Sequence, residues 1–247
     1  MYQVTFSIGA GYVNWFYAAE RKLKKALEGR AVMVTRGEPK RLFVAVACEN
    51  NLKREISEAL CETLLDIFSV EAKRDYFVEN LKMPLLSEEK YNILLTALVE
   101  FDASSDRELI KQSLNLESGL NIDGVYNFAF SEIKARWKDI GNLTKENALY
   151  LTDNEIFFEL IKYMFSAITP KAETAKLHFD GQKYTISDIK RGELIGEAFS
   201  DEELLCALIR VAPISLEFSG ERLEEGLKQK LNAIFGTPME SRAGFLS

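Results

Sequence analysis

The chain has 247 residues, an apolar fraction of 47%, a charged fraction of 28% and a formal charge of −7. This is the balance of an ordinary globular protein able to bury a core, as one large domain or two small ones. The negative charge argues against broad nucleic-acid binding, which needs a basic field to meet the phosphates, and leaves a local basic face open.

Residues Tyr2 to Ile8 alternate in the manner of a strand, and Gly9 and Gly11 follow as a turn. From Tyr12, apolar residues recur at three- and four-residue steps (Phe16, Ala19, Leu23, Leu27), which predicts a helix stopped by Gly29. Residues Ala31–Thr35 and Arg41–Cys48 read as strands joined by RGEPK. Leu52, Ile56, Ala59, Leu60, Leu64, Ile67 and Phe68 then line one face of a long helix.

The middle reads as helical. Ser87 is a candidate N-cap for a helix through about Phe101, and Ser105 with Glu108 has capping-box spacing. ESGLNIDG is a loop. Residues Ile122–Phe130 read both ways: Tyr126, Phe128 and Phe130 alternate like a strand, while the flanks are helical. Thr152 with Glu155 is a further capping box. It opens a helix with an apolar face of Ile156, Phe157, Leu160, Ile161, Met164, Phe165 and Ile168, ended by Pro170.

Toward the C-terminus, Asp180-Gly181 is a strong hairpin signal, because a type I′ turn needs positive φ at both positions. Pairing across it sets Leu177 opposite Tyr184 and Ala175 opposite Ile186, with His178 and Lys183 on the polar face. Ser200 with Glu203 caps a helix through about Val211. Ile214, Leu216 and Phe218 alternate as a strand, and Ser219 is the expected cap of a last helix bearing Leu223, Leu227, Leu231, Ile234 and Phe235. The tail GTPMESRAGFLS reads as frayed. The expected fold class is α+β, mainly helical, with small strand-containing units at both ends. The expected division is residues 1–82, 83–171 and 172–247, with one continuous domain as the alternative and the sharing of a sheet by the end units left open.

Few residues suggest chemistry. IGAGYVN follows a strand and opens a helix, as a dinucleotide fingerprint does, but Asn14 holds the third glycine position and no acid ends the next strand, so a glycine turn is the reading. The only histidine, His178, has no serine or cysteine nucleophile near it in sequence and reads as a solvated strand residue. The acidic clusters at Glu88–Glu89, Asp201–Glu203 and Glu224–Glu225 fall mostly in first helical turns, where they offset the helix dipole. Arg21, Lys22, Lys24 and Lys25 form the one dense basic run, read as a solvated helix face with an acidic partner, a membrane surface or nucleic acid as alternatives. Cys48, Cys61 and Cys206 are widely spaced among apolar residues, which fits buried free thiols in a reducing compartment. No catalytic, cofactor-binding or metal-ligating residue is assigned, no cofactor is expected, and the binding residues are unknown. The N-terminus lacks a signal-peptide pattern and no uncharged apolar run approaches the roughly 18 residues that span a bilayer, so the expectation is a cytoplasmic protein without a transmembrane segment.

Several stretches resemble the YtxC-like family of sporulation proteins of endospore-forming bacteria: LNIDGVYNF at Leu120–Phe128, FFELIKYMF at Phe157–Phe165, TPK at Thr169–Lys171, LLCALIRVAP at Leu204–Pro213 and IFG at Ile234–Gly236. The N-terminal strand, SIG turn, aromatic helix and hairpin are similar in pattern. The resemblance covers most of the chain, from about Gly119 to Gly236 above all. This chain departs from it at Ala129-Phe130-Ser131 and in having no cysteine after Cys206. The resemblance implies a sporulation setting and brings no reaction, cofactor or catalytic residue. The expected function is therefore contact with a protein partner or a second copy, without enzymatic activity. The alternative is a ligand-binding regulator or an enzyme with a dispersed site, which a polar pocket gathering His178, Tyr184 and acids would favour.

Overall fold

The computed structural model describes residues 1–114, 119–221 and 223–236. The elements run β1 (Tyr2–Gly9), α1 (Val13–Leu27), β2 (Val32–Gly37), β3 (Arg41–Cys48), α2 (Lys53–Asp66), α3 (Lys73–Asn80), α4 (Glu88–Glu100) and α5 (Ala103–Ser113). They continue β4 (Leu120–Asn121), α6 (Ile122–Phe128), α7 (Ser131–Glu146), α8 (Asn154–Ser166), β5 (Ala172–Phe179), β6 (Tyr184–Asp188), β7 (Glu193–Ala198), α9 (Asp201–Val211), β8 (Pro213–Gly220) and α10 (Glu225–Phe235). The class is α+β and mainly helical, with one four-stranded sheet near each end of the chain.

The chain divides into two compact units, Met1–Asn80 with Ala103–Asn142, and Leu81–Asp102 with Leu143–Ser247. The helical middle expected at residues 83–171 is thus shared between the units. The reason lies in α4, where every residue from Ile93 to Glu100 is buried. A helix that is apolar all round has to be surrounded, and α8 and α9 of the second unit surround it.

In the first unit the sheet order is β2-β3-β1-β4, antiparallel except for the short parallel pair of β1 with β4. Val4, Phe6 and Ile8 of β1 alternate onto the same buried face as Val44 and Val46 of β3. Helix α1 turns Trp15, Phe16, Ala19, Leu23 and Leu27 inward, and Gly29, at φ 69, takes the left-handed backbone that ends it. The helix from Lys53 continues beyond the expected Phe68: a π-helical turn, Ile67–Ala72, joins α2 to α3. The ambiguous stretch Ile122–Phe130 is helical through Phe128 as α6, directly after the two-residue β4, with Asn121 as N-cap accepting from the Gly124 N–H at 3.1 Å. Tyr126 and Phe130, four apart, are buried, while Phe128 is 88% exposed, so the helical period prevails over the alternation. Ser105 lies inside α5 rather than at its cap, because the helix already begins at Ala103.

In the second unit the order is β7-β6-β5-β8, with β5 and β8 parallel. The hairpin at Asp180-Gly181 forms with a longer loop than expected. The Asp180 carboxylate accepts from the N–H groups of Gln182 and Lys183, both at 2.9 Å, and Gly181 alone takes positive φ. Phe179 therefore pairs with Tyr184, and Leu177 with Ile186. This register is two residues from the expected one, so every side chain keeps its face, and His178 lies opposite Thr185 instead of Lys183. Strand β7 was not anticipated: only Ala198 of it is buried, so its side chains carry no core pattern.

Caps follow local chemistry. Ser87 accepts from Lys90 and Ser200 from Glu203, while the Glu203 carboxylate reaches the Phe199 N–H at 2.7 Å. Asp153, not Thr152, caps α8 by accepting from Ile156. Ser219 belongs to β8, and α10 starts behind Glu224. The expected frayed tail falls, from residue 237 on, outside the described residues, as do residues 115–118 of the expected loop.

Candidate functional site

The segment NIDG organises a polar cluster in the first unit. Asn121 ends β4 and caps α6; Ile122 is fully buried. Asp123 accepts from the Gly9 N–H at 2.8 Å and from the Arg41 guanidinium at 2.8 Å. Arg41 also donates to Ser7 Oγ at 3.0 Å and to Asn121 Oδ1 at 2.6 Å. The IGAG turn is thus clamped by Asp123. Its strand runs antiparallel to β3, so the βαβ crossover that cradles a pyrophosphate is not built there. The cluster ties a strand end, a hairpin and a helix start together, with its donors and acceptors matched to one another.

A second polar group lies deep in the same unit. Lys73 Nζ stands 2.8 Å from Asp106 Oδ2, with side chains 0% and 2% exposed, and Trp137 Nε1 donates to the same oxygen at 3.0 Å. Trp15 Nε1 donates to Asp75 at 2.7 Å. Tyr12, Trp15, Tyr126, Phe68 and Phe130 pack edge to face or tilted, with centroids 4.3–6.3 Å apart. Lys134 Nζ covers the Tyr126 ring at 3.8 Å. Burial pushes the Tyr126 phenol above its ordinary range, assisted by Tyr12, Glu79 and Asp75, and pushes the Lys134 amine down.

The residues singled out in the sequence are scattered. His178 is exposed on the outer face of the second sheet, with Nδ1 3.3 Å from Ser219 Oγ. Tyr184 lies on the opposite, buried face and donates to Asp201 at 2.9 Å; burial and that hydrogen bond push its phenol up. The sheet thus separates the two residues that a catalytic pocket would have to gather. In the basic run, Lys22 pairs with Asp66 at 2.7 Å and Lys24 with Glu20 at 2.9 Å. Arg21 and Lys24 border a shallow concavity of about 580 Å³ with Asn14, Tyr17, Glu20 and Glu71. Cys48 and Cys206 are buried free thiols, and burial pushes the half-buried Cys61 thiol up, away from the thiolate. Among the described residues, no group of three His, Cys, Asp or Glu side chains is placed to hold a metal ion. No described helix is long and apolar enough to cross a membrane.

Helix α8 combines two apolar stripes. Phe157, Ile161, Met164 and Ile168 are buried against α4 and α10. One residue away on the helical wheel, Ile156, Leu160, Tyr163 and Ala167 repeat the same spacing outward, with Ile156 44% and Tyr163 67% exposed. The apolar arc is therefore wider than the unit covers. The sequence pattern puts Ile156 and Leu160 on a single core face with Phe157 and Ile161; packing on α4 and α10 separates the two stripes. No family model, curated protein or solved structure matches the chain.

Proposed function

We propose that this chain acts in the cytoplasm of endospore-forming bacteria, as a YtxC-like protein of sporulation, through contact with a protein partner rather than through catalysis. The setting is supported by the resemblance carried by LNIDGVYNF and FFELIKYMF. The mode is supported by the outward stripe of α8, whose i, i+4, i+7, i+11 spacing is that of a helix laid into an apolar groove. Glu155, Glu159 and Lys162 flank the stripe on its exposed side, so the matching groove has an apolar floor and a polar rim carrying both signs of charge.

The test is complementation of a deletion strain with the Ile156→Ser, Tyr163→Ser double variant. The reading expects a sporulation defect on deletion, and loss of rescue by a variant that melts within a few degrees of the parent. Normal sporulation after deletion sinks it. A second reading, a ligand-binding regulator or a dispersed enzyme site, is favoured by one observation, the concavity bordered by Tyr17, Arg21, Lys24 and Glu71. Thermal-shift screening against nucleotides and small carboxylates tests that reading, and an absence of any shift removes it.

A further inference from the structure

Helix α1 buries one face and presents a second, polar one beside the π-helical turn Ile67–Ala72. Asn14, Tyr17, Arg21 and Lys24 recur on that second face at three- and four-residue steps. With Glu71 of the turn they border the concavity of about 580 Å³. Ala18, only 6% exposed, lies among them as its buried lining, and a single methyl group leaves the space open. A π-helical turn shifts the phase of the residues that follow it, and such turns occur frequently where a site is built.

The polar side chains around this concavity differ in their commitments. Lys24 is paired with Glu20 at 2.9 Å. Among the described residues, the side chains of Asn14, Arg21 and Glu71 have neither a hydrogen bond nor an ion pair. Elsewhere in the same unit Lys22, Arg41, Lys73 and Arg107 each meet a carboxylate. The concavity therefore offers one uncommitted cation, one uncommitted anion and one uncommitted amide. A polyanion would gain Arg21 and be repelled by Glu71; a metal ion would meet the reverse. A ligand carrying one charge of each sign satisfies both.

We propose that this concavity binds a small zwitterion, a free amino acid with an apolar or aromatic side chain. Arg21 takes the carboxylate, for which its planar fork of donors is suited, and Glu71 takes the ammonium. Asn14 supplies a donor and an acceptor to either end. The Tyr17 ring, 61% exposed, and the Ala18 methyl group receive the ligand's side chain. This rests on the second reading above, a ligand-binding regulator, and names its ligand class. It is independent of the outward stripe of α8.

The test is an NMR titration of the full chain with L-phenylalanine, phenethylamine and 3-phenylpropionate, which share a ring and carry both charges, the cation alone or the anion alone. L-phenylalanine should saturate in the millimolar range and shift signals of α1 and the π-helical turn. Each single-charge compound should bind about tenfold more weakly, the worth of one charge-assisted contact. Arg21→Gln should abolish the preference over phenethylamine, and Arg21→Lys should keep most of it. Glu71→Gln should abolish the preference over 3-phenylpropionate. Ala18→Leu should fill the space and weaken all three. Arg21 is exposed and unpaired, so its variants should melt with the parent and report binding alone. Failure of L-phenylalanine to saturate overturns the proposal. So does equal binding of the single-charge compounds, or a preference that survives both charge deletions. A nucleotide or simple carboxylate that stabilises the parent while L-phenylalanine does not bind keeps the regulator reading and removes this one.

Discussion

In the first unit Lys73 and Asp106 meet with side chains 0% and 2% exposed, whereas in the second the nearly buried Glu100 is met by Lys171, whose side chain is 52% exposed. The same chemistry serves different ends. In the first unit a complete ion pair, supported by the Trp137 N–H, fixes how α3, α5 and α7 face one another. In the second, the core of α4, α8 and α9 is almost wholly apolar and its ion pairs lie at the rim, as with Lys230 and Glu89 at 2.6 Å. A buried pair adds little net stability over an apolar substitute, but losing one partner strands the other charge. A rim pair leaves its survivor in water.

That contrast can be broken most forcefully at Asp106. Asp106→Ala leaves the Lys73 ammonium buried without its carboxylate and Trp137 without an acceptor. The expected loss is about 3–5 kcal/mol in urea unfolding, and Lys73→Met/Asp106→Leu should recover much of it. Glu100→Gln should lose far less, because Lys171 can hydrate. In the second unit, Phe157→Ala should lose about 3–5 kcal/mol by cavity formation, whereas Tyr163→Ala on the outward stripe of the same helix should stay within about 0.5 kcal/mol. A similar cost at both positions would remove the two-stripe description.

Backbone strain supplies the next effect. Gly220 has φ 103, and a Cβ there would lie 2.1 Å from the Phe179 carbonyl oxygen. Gly220→Ala should lower the melting temperature by at least the equivalent of about 1–3 kcal/mol. In the first unit, Asp123→Ala removes the acceptor of Gly9 and the partner of Arg41, for an expected loss of about 1–3 kcal/mol by the same measurement.

The smallest effect concerns pH. Burial opposes the charge on Asp66, but the hydrogen bonds and positive charges of Lys22 and Arg107 outweigh it and hold the carboxyl below its usual range. A depressed folded-state value means that this stability is complete above the unfolded value, about 3.9, and is lost as pH falls through the folded one. Asp66→Asn should therefore flatten the acid side of the stability curve only slightly, since the pair is about one-third exposed. A steep residual loss between pH 5 and 2 would point instead to the buried carboxylates.

Much of the fold was legible because it depends on near neighbours. The period of α1, the alternation of β1 and β3, the Ser87 and Ser200 caps and the Asp180-Gly181 turn all lie within a few residues of their causes. The misreadings share a different origin. Ser105, Thr152 and Ser219 all have cap chemistry, but a cap forms only where the chain enters the helix, and packing sets that point. The hairpin shifted by two because the Asp180 carboxylate captured two amide groups, and an even shift leaves the burial pattern unchanged. Strand β7 carries no sequence signal because backbone pairing at an edge needs no apolar side chain.

The amino-acid pattern alone settled the class of fold, the faces of most helices and the scattering of histidine and cysteine, since these follow from local period and composition. Tertiary structure decided which helices joined which sheet, that Lys73 met Asp106, that Asp123 clamped Gly9 across 114 positions, and that one stripe of α8 remained uncovered. Each of those outcomes depends on partners distant in the chain, brought together by the burial of apolar surface that no single segment could complete by itself.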